Sequence, residues 1–278
     1  MPRLSIITIN RNDAQGLERT LRSVWEKQSF KDFEHLIIDG ASSDNSINVI
    51  EKYKSRLTYW ISEPDNGVYN AMNKGIIRAQ GEYLLFLNSG DWLEDDILLH
   101  VFDNSFTEDI VYADLYYAYT ENKIVPECYP DKLTVSFLLT RSLGHPSSFI
   151  KRKLFAKTLY EEKYRIISDW TFFVKKILLE NCTTRHLNLI TTYFNAYGMS
   201  SDLKNLDLIS QERSSFFDHE FPRLISELFQ DFKMQEQTLN ILSKNKNKQL
   251  IDSVWIQKRA RQYIKMLFVL KNILRIRM

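Results

Sequence analysis

Amide and carboxylate side chains follow an apolar run in the first half of the chain. Residues 83–87 are continuously apolar, and the small and polar residues 88–91 come directly after them. Asn88 and Asp91 offer hard oxygen donors, which suit Mg²⁺ or Mn²⁺ held together with substrate phosphates. The alternative is an ordinary turn, in which Asp91 caps a helix that Trp92 begins. The sequence therefore predicts a divalent-cation site or a plain turn at this position.

The elements that must position these residues alternate between strands and helices. The predicted strands are Leu4 to Ile9, Phe33 to Ile38, Leu57 to Ile61 and Tyr83 to Leu87, and the predicted helices are Gly16 to Gln28, Ser46 to Tyr53 and Val68 to Ala79. Short links in this order predict βαβ units and a parallel sheet. Each strand ends in polar residues, and ligands of open α/β sheets bind outside the carboxyl ends of the strands. We therefore expect a ligand cleft at that edge of the sheet.

The second half of the chain is less regular. Its predicted elements are one or two strands in Ile110 to Tyr119, a short helix from Phe155 to Tyr160, a helix from Thr171 to Glu180 with Ser168 or Asp169 at its N-cap, and a strand from Leu187 to Phe194. From Leu203 onward the chain has one Pro, no Gly and long stretches with helical character. We expect a first domain over residues 1–202 and a helical C-terminal extension over residues 203–278.

Composition excludes several classes of protein. The apolar fraction of 44% is enough for a large core, and the net charge of +2 is too small for nucleic-acid binding by bulk charge. Cys128 and Cys182 form neither a metal-binding spacing nor a disulfide framework. The first nine residues lack the features of an export signal, and no stretch reaches the roughly 18 apolar residues of a membrane span. We expect a cytoplasmic protein that does not bind nucleic acid.

Five short motifs occur in order along residues 3–202. They are Ser5-Ile6-Ile7-Thr8-Ile9-Asn10, Ile38-Asp39-Gly40-Ala41-Ser42-Ser43-Asp44, Asn66-Gly67-Val68-Tyr69-Asn70-Ala71-Met72-Asn73-Lys74-Gly75-Ile76, Phe86-Leu87-Asn88-Ser89-Gly90-Asp91 and Ser168-Asp169-Trp170. Together these motifs resemble the family-two inverting nucleotide-sugar glycosyltransferases. The resemblance implies the GT-A fold, a Rossmann-like α/β architecture with a mostly parallel central sheet flanked by helices. The fourth motif is similar to that of the subgroup that builds bacterial capsule, exopolysaccharide and O-antigen repeats.

The resemblance also implies a donor-binding site. The residues that it places there are Thr8, Asn10, Asp39, Asp65, Asn73, Lys74 and Asn88. Asp39 is chemically suited to accept an N–H from a base such as uracil, and its alternative is an Asx turn into Gly40. Lys74 would neutralise a phosphate, and its alternative is a solvated lysine on a helix.

The family's Asp-x-Asp motif differs here at its first acidic position, which is Asn88. Its second acidic position falls on Asp91, which the resemblance makes a ligand of Mn²⁺ or Mg²⁺. Such a cation would neutralise the charge that builds on the departing nucleoside diphosphate. Asn88 would either coordinate the cation or orient the ribose or phosphate through water.

Asp169 matches the catalytic base of the family. A carboxylate there can take the proton from an acceptor hydroxyl as it attacks the anomeric carbon, and the displacement inverts that carbon. Trp170 would offer a sugar ring an apolar face, and His145 would donate to a phosphate or to the acceptor. The alternatives are a helix N-cap for Asp169, a core position for Trp170 and an ordinary loop position for His145.

The function implied by the resemblance is sugar transfer from a nucleotide-diphosphate sugar, with a UDP-sugar preferred. The acceptor would be a glycan or lipid-linked saccharide in the synthesis of a cell-surface polysaccharide. A nucleotidyltransferase would carry a Gly-rich basic loop after the first strand, and residues 10–13 have no such run. A non-catalytic subunit that binds nucleotide sugar or acts as a scaffold stays an alternative because of Asn88.

The tail from Ser253 to Met278 is basic and apolar. It carries seven Lys or Arg residues and no acidic residue. Basic charge beside Trp and Leu is typical of a helix that lies in an anionic membrane surface. We expect the tail to hold the protein at the inner face of the cytoplasmic membrane. The alternative is a helix that packs on the catalytic domain or on the second subunit of a homodimer.

Overall fold

The computed structural model describes residues 1–103, 106–120 and 123–222. A first compact unit runs from Met1 to Ile209, and a second begins at Ser210. The tail from Ser253 to Met278 lies outside the described residues, so its membrane or subunit contacts stay predictions. The domain boundary near residue 202 stays a prediction as well.

The helices of the described residues begin where the sequence supplies caps or apolar faces. They are α1 Ala14–Trp25, α2 Ser46–Tyr53, α3 Val68–Arg78, α4 Ile97–Phe102, α5 Val135–Thr140, α6 Ser168–Val174 and α7 Leu206–Glu220. Helix α1 begins after Asp13, whose carboxylate accepts from the amide of Gly16 at 3.0 Å and so satisfies a free N–H of the first turn. None of the helices in the described part of the chain is both long and apolar enough to cross a membrane.

The strands of the described residues join one mixed sheet. They are β1 Leu4–Asn10, β2 Phe33–Asp39, β3 Tyr59–Ser62, β4 Tyr83–Phe86, β5 Trp92–Leu93, β6 Ile110–Thr120, β7 Lys123–Glu127, β8 Ser148–Lys151 and β9 Thr184–Asn195. Their order is β3-β2-β1-β4-β8-β6-β9-β5, and β7 pairs with β6. Strands β3, β2, β1 and β4 are parallel, as the sequence predicts. Strand β8 then runs antiparallel to both β4 and β6, which makes the other half of the sheet mixed.

Both faces of the parallel half are covered, because its strands are apolar on both sides. Every residue of β1 is buried. Ile7 shares a buried cluster with Met72 of α3, whereas Ile6 shares another with Val24 of α1. Successive side chains of a strand point to opposite faces, so this alternation fixes which helix covers which face.

The chain after β4 forms a strand at the position where one alternative prediction placed the start of a helix. Trp92 and Leu93 form β5, which pairs antiparallel with β9, and the next helix begins only at Ile97. The alternative in which Asp91 caps a helix at Trp92 is therefore wrong. The partner strand lies about a hundred residues away in sequence, so local pattern alone could not reveal the pairing.

Two predicted helices differ from those observed. Residues 152–155 form a short 3-10 turn in place of a helix from Phe155 to Tyr160. Helix α6 begins at Ser168 after an N-cap at Ile167, so Asp169 lies in its first turn rather than at the cap. A carboxylate in the first turn still interacts favourably with the positive end of the helix dipole.

Candidate active site

Polar side chains at the ends of three neighbouring parallel strands form one connected network. Asn10, Asp39 and Ser62 end β1, β2 and β3 and lie in register with one another. Asp39 accepts from Asn10 Nδ2 at 2.7 Å and from Ser62 Oγ at 2.6 Å. It also accepts from the hydroxyl of Ser42 at 2.6 Å and from its amide at 2.9 Å. The predicted convergence of polar strand ends is thus observed.

Asp39 is a fully buried carboxylate whose two oxygens each accept two hydrogen bonds. Burial raises its pKa, but the hydrogen bonds from Ser42, Ser62 and Asn10 outweigh burial and hold the pKa below its usual range. Asp39 therefore stays charged and orients the residues around it. Asn10 has its amide nitrogen committed to Asp39, and its buried Oδ1 has no partner among the described residues.

A cavity of about 680 Å³ opens beside this network. Five of the predicted site residues line it, namely Asn10, Asp65, Asn88, His145 and Asp169. Its walls come from the ends of β1 and β4, from the start of α3, and from the later segments 162–169 and 194–200. The cavity therefore brings together residues that lie up to about 190 positions apart in the chain.

Asp65 is fixed in the cavity wall by its neighbours. Its Oδ1 accepts from the amide of Gly67 at 2.9 Å, and Arg11 Nη1 lies 3.9 Å from the same oxygen. The carboxylate is only 7% exposed, whereas the Arg11 side chain is 66% exposed. An exposed guanidinium beside a buried carboxylate is suited to bind a phosphate or a ribose at this wall.

The turn after β4 is held by α1. The hydroxyl of Thr20 accepts from the amide of Gly90 at 3.1 Å and donates to the carbonyl of Asp91 at 2.6 Å. Gly90 has a φ of +90°, a conformation that residues with a Cβ rarely adopt. The turn thus presents Asn88 to the cavity and Asp91 to the protein interior beside it.

Two oxygens of this turn are buried without a hydrogen-bond partner among the described residues, Asn88 Oδ1 and Asp91 Oδ2. Asp91 Oδ1 accepts from the amide of Asn195 at 2.8 Å. Burial raises the pKa of Asp91 to about 7, and the nearby His145 partly opposes that rise. Unpartnered buried oxygens are rare in folded proteins, and an ion is one explanation for them.

These two oxygens fit a hard divalent cation. The described residues contain no group of three or more His, Cys, Asp or Glu side chains that could hold a metal ion. Mg²⁺ commonly takes one or two protein oxygens and fills its other positions with water and substrate phosphates. Asp91 and Asn88 could therefore hold the cation only together with such ligands.

Asp169 presents its two oxygens differently. Oδ1 accepts from the hydroxyl of Tyr69 and from the amide of Trp170, both at 2.8 Å. Oδ2 lies 3.4 Å from Nδ1 of His145, which is long for a hydrogen bond. The side chain is 17% exposed and lines the cavity. Oδ1 thus accepts from the amide of Trp170 and shares the single proton of Tyr69 with the carbonyl of Ile166, and Oδ2 keeps a lone pair for a substrate hydroxyl.

Tyr69 joins α3 to the start of α6. Its hydroxyl lies 2.8 Å from Asp169 Oδ1 and 2.6 Å from the carbonyl oxygen of Ile166. Burial, with the charge of Asp169 next, raises the pKa of Tyr69 well above its usual value. The phenol therefore stays a neutral donor that helps to fix the carboxylate.

Five predicted donor or acceptor residues do not line the cavity, namely Asp39, described above, and Thr8, Asn73, Lys74 and Trp170. Thr8 is buried with its hydroxyl 2.9 Å from Nε2 of His35. Asn73 bonds the backbone of Tyr160 through both its nitrogen, at 2.9 Å, and its oxygen, at 3.0 Å. These residues fix the framework around the cavity.

Lys74 and Trp170 are the other two. Lys74 Nζ lies 2.7 Å from Glu63 Oε1 and donates to the carbonyl of Pro64 at 3.0 Å. Trp170 is 2% exposed, and its indole N–H donates to the carbonyl of Leu138 at 2.7 Å. Trp170 is therefore a core residue, and it does not offer its ring to a sugar in the cavity.

Sequence reasoning missed several residues of the site. Tyr69 lies inside the third motif, but its role depends on a carboxylate 100 positions away. Asn195 contributes a backbone amide, which no side-chain pattern can reveal. Tyr197 and Met199 line the cavity and are 76% and 45% exposed, so they form an apolar rim. For the rim, the only signal in the sequence is that Tyr197 and Met199 flank Gly198 within a polar loop.

Comparison with known proteins relates this chain to a family of glycosyltransferases. Residues 5–173 match the family model described as glycosyl transferase family 2. A PGL/p-HBAD biosynthesis glycosyltransferase of Mycobacterium bovis is 30% identical over 205 residues, which are 71% of this chain and 78% of that protein. An uncharacterized glycosyltransferase of Mycobacterium tuberculosis is 44% identical over 90 residues, 32% of this chain and only 34% of that protein.

Two solved structures share the fold at low sequence identity. Staphylococcus aureus TarS in complex with UDP-GlcNAc has a TM-score of 0.62 at 19% identity, over 82% of this chain and 70% of that one. The mannosyltransferase PcManGT of Pyrobaculum calidifontis, in complex with GDP-Man and Mn²⁺, has a TM-score of 0.58 at 13% identity, over 82% and 68%. Because the family model matches more than half of the chain, this protein belongs to glycosyl transferase family 2, and its mixed α/β sheet is that of the GT-A fold.

Proposed function

We propose that this protein transfers a sugar from a nucleotide-diphosphate sugar to an acceptor hydroxyl, with inversion at the anomeric carbon. One observation carries the proposal. A single cavity is lined by Asn10, Asp65 and Asn88 on one side and by the carboxylate of Asp169 on another. A donor seated at the strand ends would therefore have a base within the same enclosure.

The donor half of the cavity has the chemistry of a nucleotide site. Asn10 holds an acceptor oxygen without a partner, and Arg11 and Asp65 lie next to it in the wall. A uracil N3–H is a donor that such an acceptor would bind, which supports a UDP-sugar as the donor. Asp39 would act through Asn10, since all of its hydrogen bonds are made within the protein.

Asp91 and Asn88 would hold a divalent cation, Mn²⁺ or Mg²⁺, together with the donor diphosphate. When bound, the cation would offset the negative charge that grows on the departing nucleoside diphosphate. Asp91 contributes the negative charge of the pair, and its raised pKa means that it binds a cation more readily as pH rises through about 7. Asn88 contributes a neutral oxygen, which weakens the site relative to a pair of carboxylates.

Asp169 is the base in this proposal. Its Oδ1 is fixed by Tyr69 and Trp170, so Oδ2 would take the proton from the acceptor hydroxyl as that oxygen attacks the anomeric carbon. The nucleoside diphosphate leaves from the opposite face of the sugar, which produces inversion. Positioning of a base in this way contributes about 10²–10⁴-fold to a rate.

The acceptor would be a glycan or a lipid-linked saccharide of a cell-surface polymer or glycolipid. The names of relatives support this class: a PGL/p-HBAD biosynthesis glycosyltransferase, and a putative teichuronic acid biosynthesis glycosyltransferase of Bacillus subtilis, 34% identical over 100 residues. The second match covers 34% of this chain and 39% of that relative. The exposed rim of Tyr197 and Met199 would offer such an acceptor an apolar surface.

The basic tail from Ser253 to Met278 would bring the enzyme to such an acceptor. We infer that it binds the anionic inner face of the cytoplasmic membrane, each basic residue near the surface contributing about 1 kcal/mol. A contact with a second copy in a homodimer is the competing role for the same segment.

Binding and turnover can be separated by experiment. Melting curves of the protein with UDP, GDP and their sugars, with and without Mn²⁺, report which donor binds. We expect a UDP-sugar with Mn²⁺ to raise the melting temperature and to release UDP slowly, by transfer to water. Stabilisation without any release, even with lipid-linked saccharide present, would favour a non-catalytic subunit that binds nucleotide sugar.

A further inference from the structure

His145 joins the donor half of the cavity to the proposed base. Its Nε2 lies 3.0 Å from Nδ2 of Asn88, and its Nδ1 lies 3.4 Å from Oδ2 of Asp169. The side chain is 14% exposed, and its ring meets that of Phe194 edge-on at 6.0 Å. The imidazole is therefore held between two polar partners and has little freedom to turn.

The backbone around His145 is fixed as well. Residues 145–147 form one 3-10 turn, in which the amide of Ser147 donates to the carbonyl of Gly144 at 3.2 Å. The hydroxyl of Thr192 on β9 donates to the carbonyl of Pro146 at 2.6 Å. The turn is thus closed by its own hydrogen bond and held to β9 at Pro146, which restricts the position of the ring.

The partners of the ring select one tautomer. A neutral imidazole has one N–H donor and one acceptor nitrogen, and a carboxylate only accepts. Nδ1 must therefore carry the proton that faces Asp169, which leaves Nε2 as an acceptor. The amide group of Asn88 supplies the N–H that Nε2 requires. The Nδ1–H tautomer satisfies both contacts, and the other neutral tautomer satisfies neither.

We propose that Asn88 and His145 form a pair that orients Asp169. In this proposal, Asn replaces the family's first acidic residue because His145 needs a donor at that position. A carboxylate at position 88 would only accept, so the imidazole would need a second proton to bond both neighbours. His145 acts through Asp169 and is a positioning residue. The inference rests on the proposed function, in which Asp169 is the base.

The orientation matters because the two oxygens of Asp169 have different partners. Tyr69 and Trp170 contact Oδ1, and His145 contacts Oδ2 at 3.4 Å. Hydrogen bonds of catalytic sites are often long without substrate and shorten when it binds, so His145 would then orient Oδ2. Without the contact to His145, the carboxylate could still accept a proton, but it could rotate, and Oδ2 would no longer be held toward the acceptor hydroxyl. Turnover would fall while donor binding stayed intact.

The first test measures the ring of the wild-type protein and uses a His145 variant only to assign its signal. The chain has five histidines, so labelling them with ¹⁵N gives a small set of ring signals. The signal lost in His145→Asn, or in His145→Gln, identifies the ring in the wild-type protein. We expect the neutral ring to carry its proton on Nδ1. A neutral ring that carries its proton on Nε2 would overturn the proposal.

The second test replaces His145 with Asn or Gln, each of which places an amide group near one of the two ring nitrogens. His145→Asn keeps an amide nitrogen near the place of Nδ1, toward Asp169, whereas His145→Gln keeps amide atoms near the place of Nε2, toward Asn88. We expect His145→Asn to retain more turnover than His145→Gln. In His145→Gln, kcat should fall roughly tenfold to a hundredfold, the effect of one hydrogen bond to a charged group, with KM for the donor unchanged. Equal kcat values, or a change confined to KM, would contradict the proposal.

A parallel measurement on Asp169→Asn separates this inference from the proposed function. Loss of turnover in Asp169→Asn together with equal turnover of the two His145 variants would overturn only the pairing. Wild-type turnover in Asp169→Asn would overturn the base and the pairing together. Melting curves and donor binding establish that each variant folds, and either His145 variant can assign the ¹⁵N signal if the other does not fold.

Discussion

At the scale of single residues, Asp91 is the carboxylate whose surroundings oppose its charge most clearly. It is 2% exposed, its Oδ2 has no partner among the described residues, and burial raises its pKa to about 7. Asp39 is equally buried, yet its hydrogen bonds hold its pKa below the usual range. Asp39 thus has all its hydrogen bonds from the protein, whereas Asp91 has an unpartnered oxygen that a cation would bind.

The raised pKa of Asp91 predicts how stability depends on pH. The folded pKa lies above the unfolded value of 3.8, so the folded protein keeps a proton that the unfolded chain gives up. This contribution is fully present below the unfolded pKa and is lost as pH rises through about 7. In EDTA, the wild-type protein should therefore lose more stability between pH 6 and pH 8 than Asp91→Asn does.

Addition of Mn²⁺ together with UDP, whose phosphates would complete the cation site, should offset that loss at pH 8 in the wild-type protein and have less effect on Asp91→Asn. Melting curves of both proteins at the two pH values, with UDP and with or without Mn²⁺, measure this. Identical pH dependence of the two proteins would contradict the prediction, because it would mean that the pKa of Asp91 is not raised by burial.

Helix α3 supplies both Tyr69, which contacts the proposed base Asp169, and the framework residue Asn73. The helix lies close to β1 because Gly75 has no side chain. A Cβ at that position would lie 2.4 Å from Cγ2 of Ile7, a β-branched side chain with restricted rotamers. The close approach of α3 to the sheet therefore depends on glycine.

Gly75→Val should destabilise the protein by about 1–3 kcal/mol, because it overpacks the contact between α3 and β1. Ile77→Ala on the same helix is the matched control, since Ile77 is 69% exposed and its loss should cost about 0.5 kcal/mol or less. The free energy of unfolding in denaturant compares the two. A Gly75→Val protein as stable as the control would mean that α3 can move away from β1 without cost.

The parallel half of the fold and its polar strand ends were predictable from sequence, because short apolar runs and turn residues are local signals. The register of Asn10, Asp39 and Ser62 follows from those strands once they pair. Two features were not predictable from sequence: both oxygens of Asp39 already accept hydrogen bonds from the protein, and Trp170 lies in the core. Both depend on atoms that tertiary packing brings together.

At the scale of the whole molecule, the cavity combines two parts of the chain. Residues up to 91 provide the proposed donor wall and cation ligands, and residues 145–200 provide the proposed base and the apolar rim. A fixed donor half and an acceptor half drawn from the less regular part of the chain would allow one fold to serve different acceptors.

The basic tail adds a prediction for the full chain. Neutralising four of its charges by Lys258→Gln, Arg259→Gln, Arg261→Gln and Lys265→Gln should release the protein from anionic vesicles. Sedimentation with anionic and neutral vesicles at low and high salt measures this, since binding through charge is weakened by salt. Equal, salt-insensitive sedimentation of both proteins would favour a packing or dimer contact instead.

Asp169→Asn tests whether Asp169 is the base, because it keeps the size of the side chain and removes its basicity. Asp95→Asn, at a carboxylate that is 67% exposed and paired with Lys27, is the control. Transfer from a UDP-sugar to a lipid-linked saccharide should fall roughly 10²-fold or more in Asp169→Asn. Donor affinity should stay at the wild-type value in both variants. Transfer at the wild-type rate by Asp169→Asn, or loss of donor binding in it, would contradict the role of Asp169 as the base.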